Sequence, residues 1–247
     1  MPADRSSERH KRFYATADIA PADGGYAVTL DGRTPRSPEG AALVLPTAGL
    51  AQLVAEEWAG QGEEIEPATM PATRLAWTAI VYAADPAARA AAAARMGAFA
   101  NADVLCYFAE APAPLVRRQE QQWSPMIAWA EDALQVRFIR ARGVVHQPQP
   151  EATIARIEAL ATAEDAATLS ALAAAAALYG SVILAFALRH GELTGEEALN
   201  RSRVDEIFQE EQWGVDAEAA ARVTGVAREA TMLERWFASS QAWASLR

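Results

Sequence analysis

The sequence holds one lysine and one cysteine, and each shortage excludes a class of chemistry. Lys11 stands against twenty-one arginines in 247 residues, so the chain lacks the Gly-Lys-Ser/Thr loop that binds phosphate in nucleotide hydrolases. Cys106 cannot form an intramolecular disulfide, which favours a reducing compartment. Because its neighbours in sequence are apolar, Cys106 is expected to pack as a small hydrophobic side chain. We therefore expect neither ATP hydrolysis nor thiol chemistry.

Clustered positive charge and metal-binding motifs are also missing. The formal net charge is −10, whereas nucleic acids and anionic membranes bind clustered lysine and arginine. The three histidines, His10, His146 and His190, are far apart, and none lies in an HExxH or CxxC setting. The sequence predicts no nucleic-acid partner, no metal site and no cofactor, and it favours a protein or a small molecule as the partner.

One long uncharged run, Thr168 to Leu188, has the length of a membrane span. Alanine dominates the stretch from Ala171 to Ala177, which gives little transfer energy, and Tyr179-Gly180-Ser181 predicts a break into two shorter helices. We therefore predict a buried helix pair and no membrane insertion.

The first twelve residues, MPADRSSERHKR, lack the apolar core of a secretory signal. They are also too short and too acidic for an intact transit peptide. The expected location is the bacterial cytoplasm, which the strong preference for arginine over lysine also favours. The alternative is the mitochondrial matrix, if the chain is a processed organelle form.

The patterning changes from strands to helices along the chain. From Arg12 to about Leu45, alternating residues and the turn signals Gly24-Gly25 and Asp31-Gly32 predict a small antiparallel sheet. Beyond Met70-Pro71 one helical pattern follows another. The predicted fold class is α+β, with a small antiparallel β-rich N-terminal domain over residues 1–70 and a larger all-helical domain over residues 71–247.

Three segments carry more specific expectations. Thr47 is a plausible N-cap for a helix that ends near Gly60. The run Thr194 to Trp213 predicts one continuous helix, and Val136 to Val145 predicts a short hairpin.

The segment Ser202 to Gly214, SRVDEIFQEEQWG, is the part of the chain most suited to contact a partner. Helical spacing places its apolar residues on one arc and its polar residues on the other, namely Asp205, Glu206, Gln209 and Glu210. Glu211 falls within the apolar arc and must be paired, neutral or at its rim. Trp213, just before a glycine and on the side of Glu206, would suit an interface anchor. Taken alone, the segment also fits a solvated helix face.

An enzymatic interpretation depends on two of these acids. Glu206 and Glu210 are four residues apart and share one helix face, so a small-molecule enzyme that uses this carboxylate face is the alternative function. The sequence offers no companion base or nucleophile, and the pair therefore favours recognition over catalysis.

Several short motifs are weak singly but specific in their order. They are RFY (Arg12 to Tyr14), LDGR (Leu30 to Arg33), LPT (Leu45 to Thr47), EW (Glu57-Trp58), MPATRL (Met70 to Leu75), DVLCY (Asp103 to Tyr107), Gln122-Trp123-Ser124-Pro125 with Trp129, and SRVDEIFQEEQWG. With these motifs the chain resembles, from Arg12 to Phe237, one known family, the assembly chaperones that hold the alpha subunit of the F-type ATP synthase catalytic head.

The resemblance implies a function without catalysis. Such a chaperone would bind the unassembled alpha subunit, prevent its aggregation without ATP, and yield it to the beta subunit. It also implies that Glu206 is the important acid of the segment. The predicted partner-binding residues are therefore Glu206, Trp213, Gln209, Asp205 and Glu210.

Overall fold

The computed structural model describes the backbone of residues 10–143, 145–214 and 217–240, and the side chains of these residues apart from 10 and 217–222. Its strands are β1 (His10–Lys11), β2 (Ala17–Ala22), β3 (Gly25–Leu30), β4 (Val44–Leu45), β5 (Glu64–Ile65), β6 (Tyr107–Phe108) and β7 (Ala141–Arg142). Strands β2, β3 and β4 form an antiparallel sheet in that order, β1 pairs antiparallel with β5, and β6 pairs parallel with β7.

Helices make up most of the rest. They are α1 (Ala48–Ala59), α2 (Pro71–Ala84), α3 (Pro86–Asn101), α4 (Ala113–Ala133), α5 (Glu151–Ala163), α6 (Ala166–Tyr179), α7 (Val182–His190), α8 (Gly195–Ser202), α9 (Val204–Trp213) and α10 (Ala217–Ser239). Short 3-10 turns cover Pro67–Thr69 and Val104–Cys106. A small antiparallel sheet thus precedes a long series of helices, and the predicted α+β class is confirmed.

The local signals of the N-terminal region act as expected. Gly24 and Gly25 have φ of 83° and 145°, and a side chain at Gly25 would overlap the carbonyl of Leu45. The Thr47 hydroxyl accepts a hydrogen bond from the Leu50 amide (3.1 Å) and starts α1, which ends at Gly60. The predicted sheet began at Arg12, whereas residues 12–16 lie between β1 and β2, and β2 begins only at Ala17.

The uncharged run divides into two helices, as predicted. α6 ends at Gly180, whose φ is 63°, and α7 begins after Ser181, whose hydroxyl accepts from the Leu184 amide (3.1 Å). Both helices lie largely within the core. Among the described residues, no helix is both long and apolar enough to cross a membrane.

Two expectations for the helical part are wrong. The run Thr194 to Trp213 is interrupted at Arg203, whose ψ is 24° and φ −111°. The Trp123 indole donates to the Arg201 carbonyl (2.8 Å), so this carbonyl at the end of α8 has a partner outside the helix.

The described residues of the segment Val136 to Val145, which are 136–143 and 145, do not form a hairpin. Side chains from outside the segment bind its backbone: Thr153 donates to the Arg137 carbonyl (2.6 Å), and Gln149 accepts from the Ile139 amide (2.7 Å). Farther along, Ala141–Arg142 pairs with β6. These contacts satisfy the backbone groups that a second strand would otherwise bind.

The predicted domain boundary near residue 70 lies at a hydrogen-bonded junction. Glu57, near the end of α1, accepts hydrogen bonds from the amides of Ala72 (2.7 Å) and Thr73 (2.8 Å) at the start of α2. One hydrophobic cluster extends from the sheet to the helices on both sides of this junction. The division into residues 1–70 and 71–247 stays a prediction.

A buried carboxylate joins two later elements. Asp103 is fully buried and accepts hydrogen bonds from the Leu105 amide (3.0 Å), the Ser181 hydroxyl (2.9 Å) and the Ile183 amide (3.1 Å). It thereby ties the Val104–Cys106 turn to the start of α7. Burial raises the pKa of Asp103 to about 6, although the hydrogen bonds act in the opposite direction.

The substitution Glu57→Gln is expected to destabilise the protein by about 1–3 kcal/mol, because the new amide group would face a backbone N–H that needs an acceptor. Urea unfolding measures this change. The neighbouring Glu56→Gln is the matched control: it removes an exposed ion pair to Arg235 (2.7 Å) and should cost less than about 1 kcal/mol. Equal losses in the two variants would contradict the capping role of Glu57.

Asp103 is expected to contribute a pH dependence to stability. Its folded pKa lies above the unfolded value of about 3.9, so the native state binds more protons between the two values and becomes less stable as pH rises through them. The free energy of unfolding of the wild type, measured relative to Asp103→Asn, should fall by about 1–3 kcal/mol between about pH 4 and pH 7. Denaturant titrations at several pH values measure it. A flat or rising difference would refute this effect.

Candidate functional site

Helix α9 is a peripheral element that packs against α4 and α8. Val204 is its one fully buried residue, whereas Phe208 is partly buried against the core. With so little apolar burial, the orientation of α9 depends strongly on its polar contacts.

The first of these contacts joins Asp205 of α9 to the Ala109 backbone through the side chain of Gln119 in α4. The Gln119 amide is fully buried; its oxygen accepts from the Ala109 amide (2.7 Å) and its nitrogen donates to Asp205 (2.6 Å). Both ends of the side chain are thus fixed. Asp205 therefore faces the protein at the first turn of α9.

The second contact explains the acid on the apolar arc. Arg118 donates two parallel hydrogen bonds to Glu211 (2.9 and 2.8 Å), and its guanidinium lies 5.5 Å from the centre of the Phe208 ring. The hydrogen bond from Arg118 lowers the pKa of the Glu211 carboxyl. Glu211 is both paired and at the rim, which are two of the three options that the sequence left open.

The third contact is an ion pair between the residue just before α9 and a residue within the helix. Arg203, just before the helix, donates to Glu210 (2.6 Å), and both side chains are largely shielded from solvent. Glu210 is therefore turned from Glu206 towards a cation, although the two acids share a helix face. Of the predicted carboxylate pair Glu206 and Glu210, Glu210 is therefore already bound by an arginine.

Three of the five predicted partner-binding residues are exposed: Glu206, Gln209 and Trp213. We refer to these three side chains as the α9 face. Trp213 is 82% exposed, the largest value among the exposed large apolar side chains of the described residues. The Glu206 carboxylate makes no hydrogen bond or ion pair with any residue that the structure describes.

The α9 face does not line the main grooves of the described part of the chain. Neither Glu206 nor Glu210 lines any of five grooves of about 350 to 970 Å³. The largest lies at the N-terminal region, beside Phe13 and Val81. An exposed face of this kind suits contact with a macromolecule better than binding of a small substrate.

The other candidate groups occupy structural positions. Cys106 is fully buried, and burial raises the pKa of its thiol. His146 contacts the Tyr107 hydroxyl (2.7 Å), and His190 at the end of α7 packs edge-on against Trp129. Among the described residues, no three metal-ligating side chains are grouped.

Sequence reasoning missed the groups that hold α9. Arg118 and Gln119 lie more than eighty residues before their partners, so no local pattern connects them. Arg203 could have been found, because it precedes Glu210 by seven residues, two helical turns, within the same segment.

Comparisons with known proteins agree with this architecture. A family model described as ATP12 chaperone protein matches residues 11–131. The crystal structure of Atp12 from Paracoccus denitrificans has a TM-score of 0.82 and 38% sequence identity to this chain, covering 93% of it and 98% of that protein. A variant of the P. denitrificans protein in which an aspartate is replaced by lysine gives 0.82 and 37%, with 93% and 97% covered. A candidate chaperone from Agrobacterium tumefaciens gives 0.85 and 38%, with 94% and 86% covered.

Proposed function

The chain belongs to the ATP12 chaperone family, and we propose that it is an ATP-independent assembly chaperone that binds the unassembled alpha subunit of the F-type ATP synthase catalytic head. It prevents aggregation of that subunit until the beta subunit replaces it. A partner that binds the folded free subunit lowers the concentration of aggregation-prone species by mass action, so no nucleotide is required.

The observation that carries this proposal is the exposed α9 face. Trp213 is 82% exposed, and it lies on the same helix as Glu206, whose carboxylate has no partner among the described residues. A partner that covers the indole removes apolar surface from water, which is favourable. Aromatic residues at the centre of a contact supply much of its affinity, and a neighbouring charge selects the partner. Glu206 would therefore meet a cation of the alpha subunit while Trp213 enters an apolar recess.

The other predicted residues contribute in two ways. Gln209 is exposed and extends the contact by hydrogen bonding. Asp205 and Glu210 already have internal partners, Gln119 (2.6 Å) and Arg203 (2.6 Å), and they act mainly by holding α9 in its orientation. An orientation fixed before binding lowers the entropic cost of association.

Co-purification with the alpha subunit from the same organism tests the proposal directly. The wild-type chain should form a complex with the free alpha subunit, keep it soluble, and lose it when the beta subunit is added. Absence of a complex together with unchanged alpha-subunit solubility would overturn the proposed function.

The charge reversal Glu206→Lys is expected to weaken binding of the alpha subunit by at least about tenfold, because it places a cation against the cation of the partner. The melting temperature should change by less than about 2 °C, as for most exposed substitutions. Glu196→Lys is the matched control, since Glu196 is also an exposed acid in the first turn of a short helix, α8. Equal binding by the two variants would remove Glu206 from the contact.

Truncation of the exposed aromatic side chain, Trp213→Ala, should weaken binding by about 30-fold or more, the effect of an interface anchor worth about 2 kcal/mol. Stability should stay unchanged because little of the indole is buried in the free protein. Isothermal titration calorimetry with the alpha subunit measures the affinity. Val145→Ala, at another exposed apolar side chain, is the control and should bind like the wild type.

A further inference from the structure

The last turn of α9 is poorly stabilised by the helix itself. Residues 211–214 are all exposed, and the two residues of α9 that pack against the core, Val204 and Phe208, lie earlier in the helix. Glu210 and Glu211 place two acids near the carboxyl end, where the helix dipole disfavours negative charge, and the last turn contains no basic residue. On these grounds alone, the turn that carries Trp213 would fray readily.

Two arginines from outside this turn compensate for its acids. Arg203, just before α9, donates to Glu210 (2.6 Å), and Arg118 of α4 donates to both oxygens of Glu211 (2.9 and 2.8 Å). Arg203 belongs to the same short segment, so its contact does not join the last turn to another helix. Arg118 therefore supplies both a positive charge and a fixed point on a different element of the fold.

The contacts of Arg118 and of its neighbour define the direction of α9. The Arg118 guanidinium lies 5.5 Å from the centre of the Phe208 ring, which packs against the core. The next residue of α4, Gln119, holds the first turn of α9 through Asp205 (2.6 Å). Adjacent residues of one helix thus bind both ends of another, at positions that are six residues, or about 9 Å, apart along its axis.

The ion pair between Arg118 and Glu211 is too exposed to contribute much to global stability. The two side chains are 34% and 48% exposed, and ion pairs as accessible as this one add little to the free energy of unfolding. A single exposed turn, by contrast, opens at low cost, so a small local stabilisation shifts its population noticeably. The main effect of this pair is therefore on the conformation of the last turn.

We propose that Arg118 is a positioning residue for the client: by holding Glu211, it keeps the last turn of α9 helical and Trp213 on the side of Glu206. The two face residues are seven positions apart, and they share a side only while the helix is intact. Arg118 itself does not contact the client. A turn that is already formed before binding loses less conformational entropy in the complex, so the affinity is higher. The identity of the client as the alpha subunit rests on the proposed function.

The substitution Arg118→Ala should raise the dissociation constant for the purified alpha subunit about fivefold, because the helical turn is populated less in the free protein. Arg117→Ala is the matched control, since Arg117 is the preceding arginine of α4 and is exposed, and it should bind within about twofold of the wild type. Both melting temperatures should stay within about 4 °C of the wild-type value. Isothermal titration calorimetry measures the affinities, and equal binding by the two variants would overturn the proposal.

A double-mutant cycle separates positioning from direct contact. In the Glu211→Ala background, Arg118→Ala should change the dissociation constant by less than about twofold, because the acid through which Arg118 acts is gone. A further loss of about fivefold in that background would mean that Arg118 binds the client directly, and the positioning role would be wrong.

A spin label on the free protein reports on the last turn without any client. Cys106 is buried, so a nitroxide reagent attaches at a cysteine introduced by Gln212→Cys in the last turn or by Gln209→Cys earlier in α9. Arg118→Ala should increase the mobility of the label at position 212 and leave the label at position 209 nearly unchanged. Unchanged mobility at position 212 would refute the inference. If the wild type binds no alpha subunit, the proposed function fails, and the label still decides whether Arg118 holds the turn.

Discussion

The fold depends on the way Glu57 completes the start of α2. The residue before α2, Met70, provides no side-chain cap, and Pro71 at the first position has no N–H to satisfy. The next two amides, of Ala72 and Thr73, are bound by the Glu57 carboxylate from the end of α1. This contact fixes α1 against α2, and α2 in turn packs against α3 and α6. The Glu57 carboxylate thus adds a polar link to the hydrophobic cluster that joins the sheet region to the helices.

Asp103, deeper in the protein, also binds backbone amides at the starts of helical segments. Its carboxylate binds the Leu105 amide of a 3-10 turn and the Ile183 amide of α7, so one buried acid serves two helix starts. Buried acids of this kind are structural because their oxygens are already occupied by protein donors. Acids that contact a partner must come from the surface, and Glu206, without a partner among the described residues, has that property.

Local sequence signals predicted turns and helix ends well. They failed where the structure depends on contacts between residues that are far apart in the sequence. The glycine turn at Gly24-Gly25 and the break at Gly180 follow from backbone conformations that few residues other than glycine adopt. The break at Arg203 coincides instead with a contact from Trp123, whose indole donates to the Arg201 carbonyl, seventy-eight residues later in the chain. For the same reason the sequence indicated the acids of α9 but not which of them were already paired. The predicted sheet from Arg12 included Phe13, which instead lies before β2 with its ring edge-to-face against Tyr14.

The small size of the α9 face bears on how the proposed client would be held and released. The face offers one carboxylate and one tryptophan, on a helix in which Val204 is the one fully buried residue. Differences in affinity between related complexes lie mostly in the dissociation rate, and a contact that depends on a few side chains dissociates faster than an extensive one. A competing subunit can therefore take the client as it dissociates, and this exchange needs no input of chemical energy.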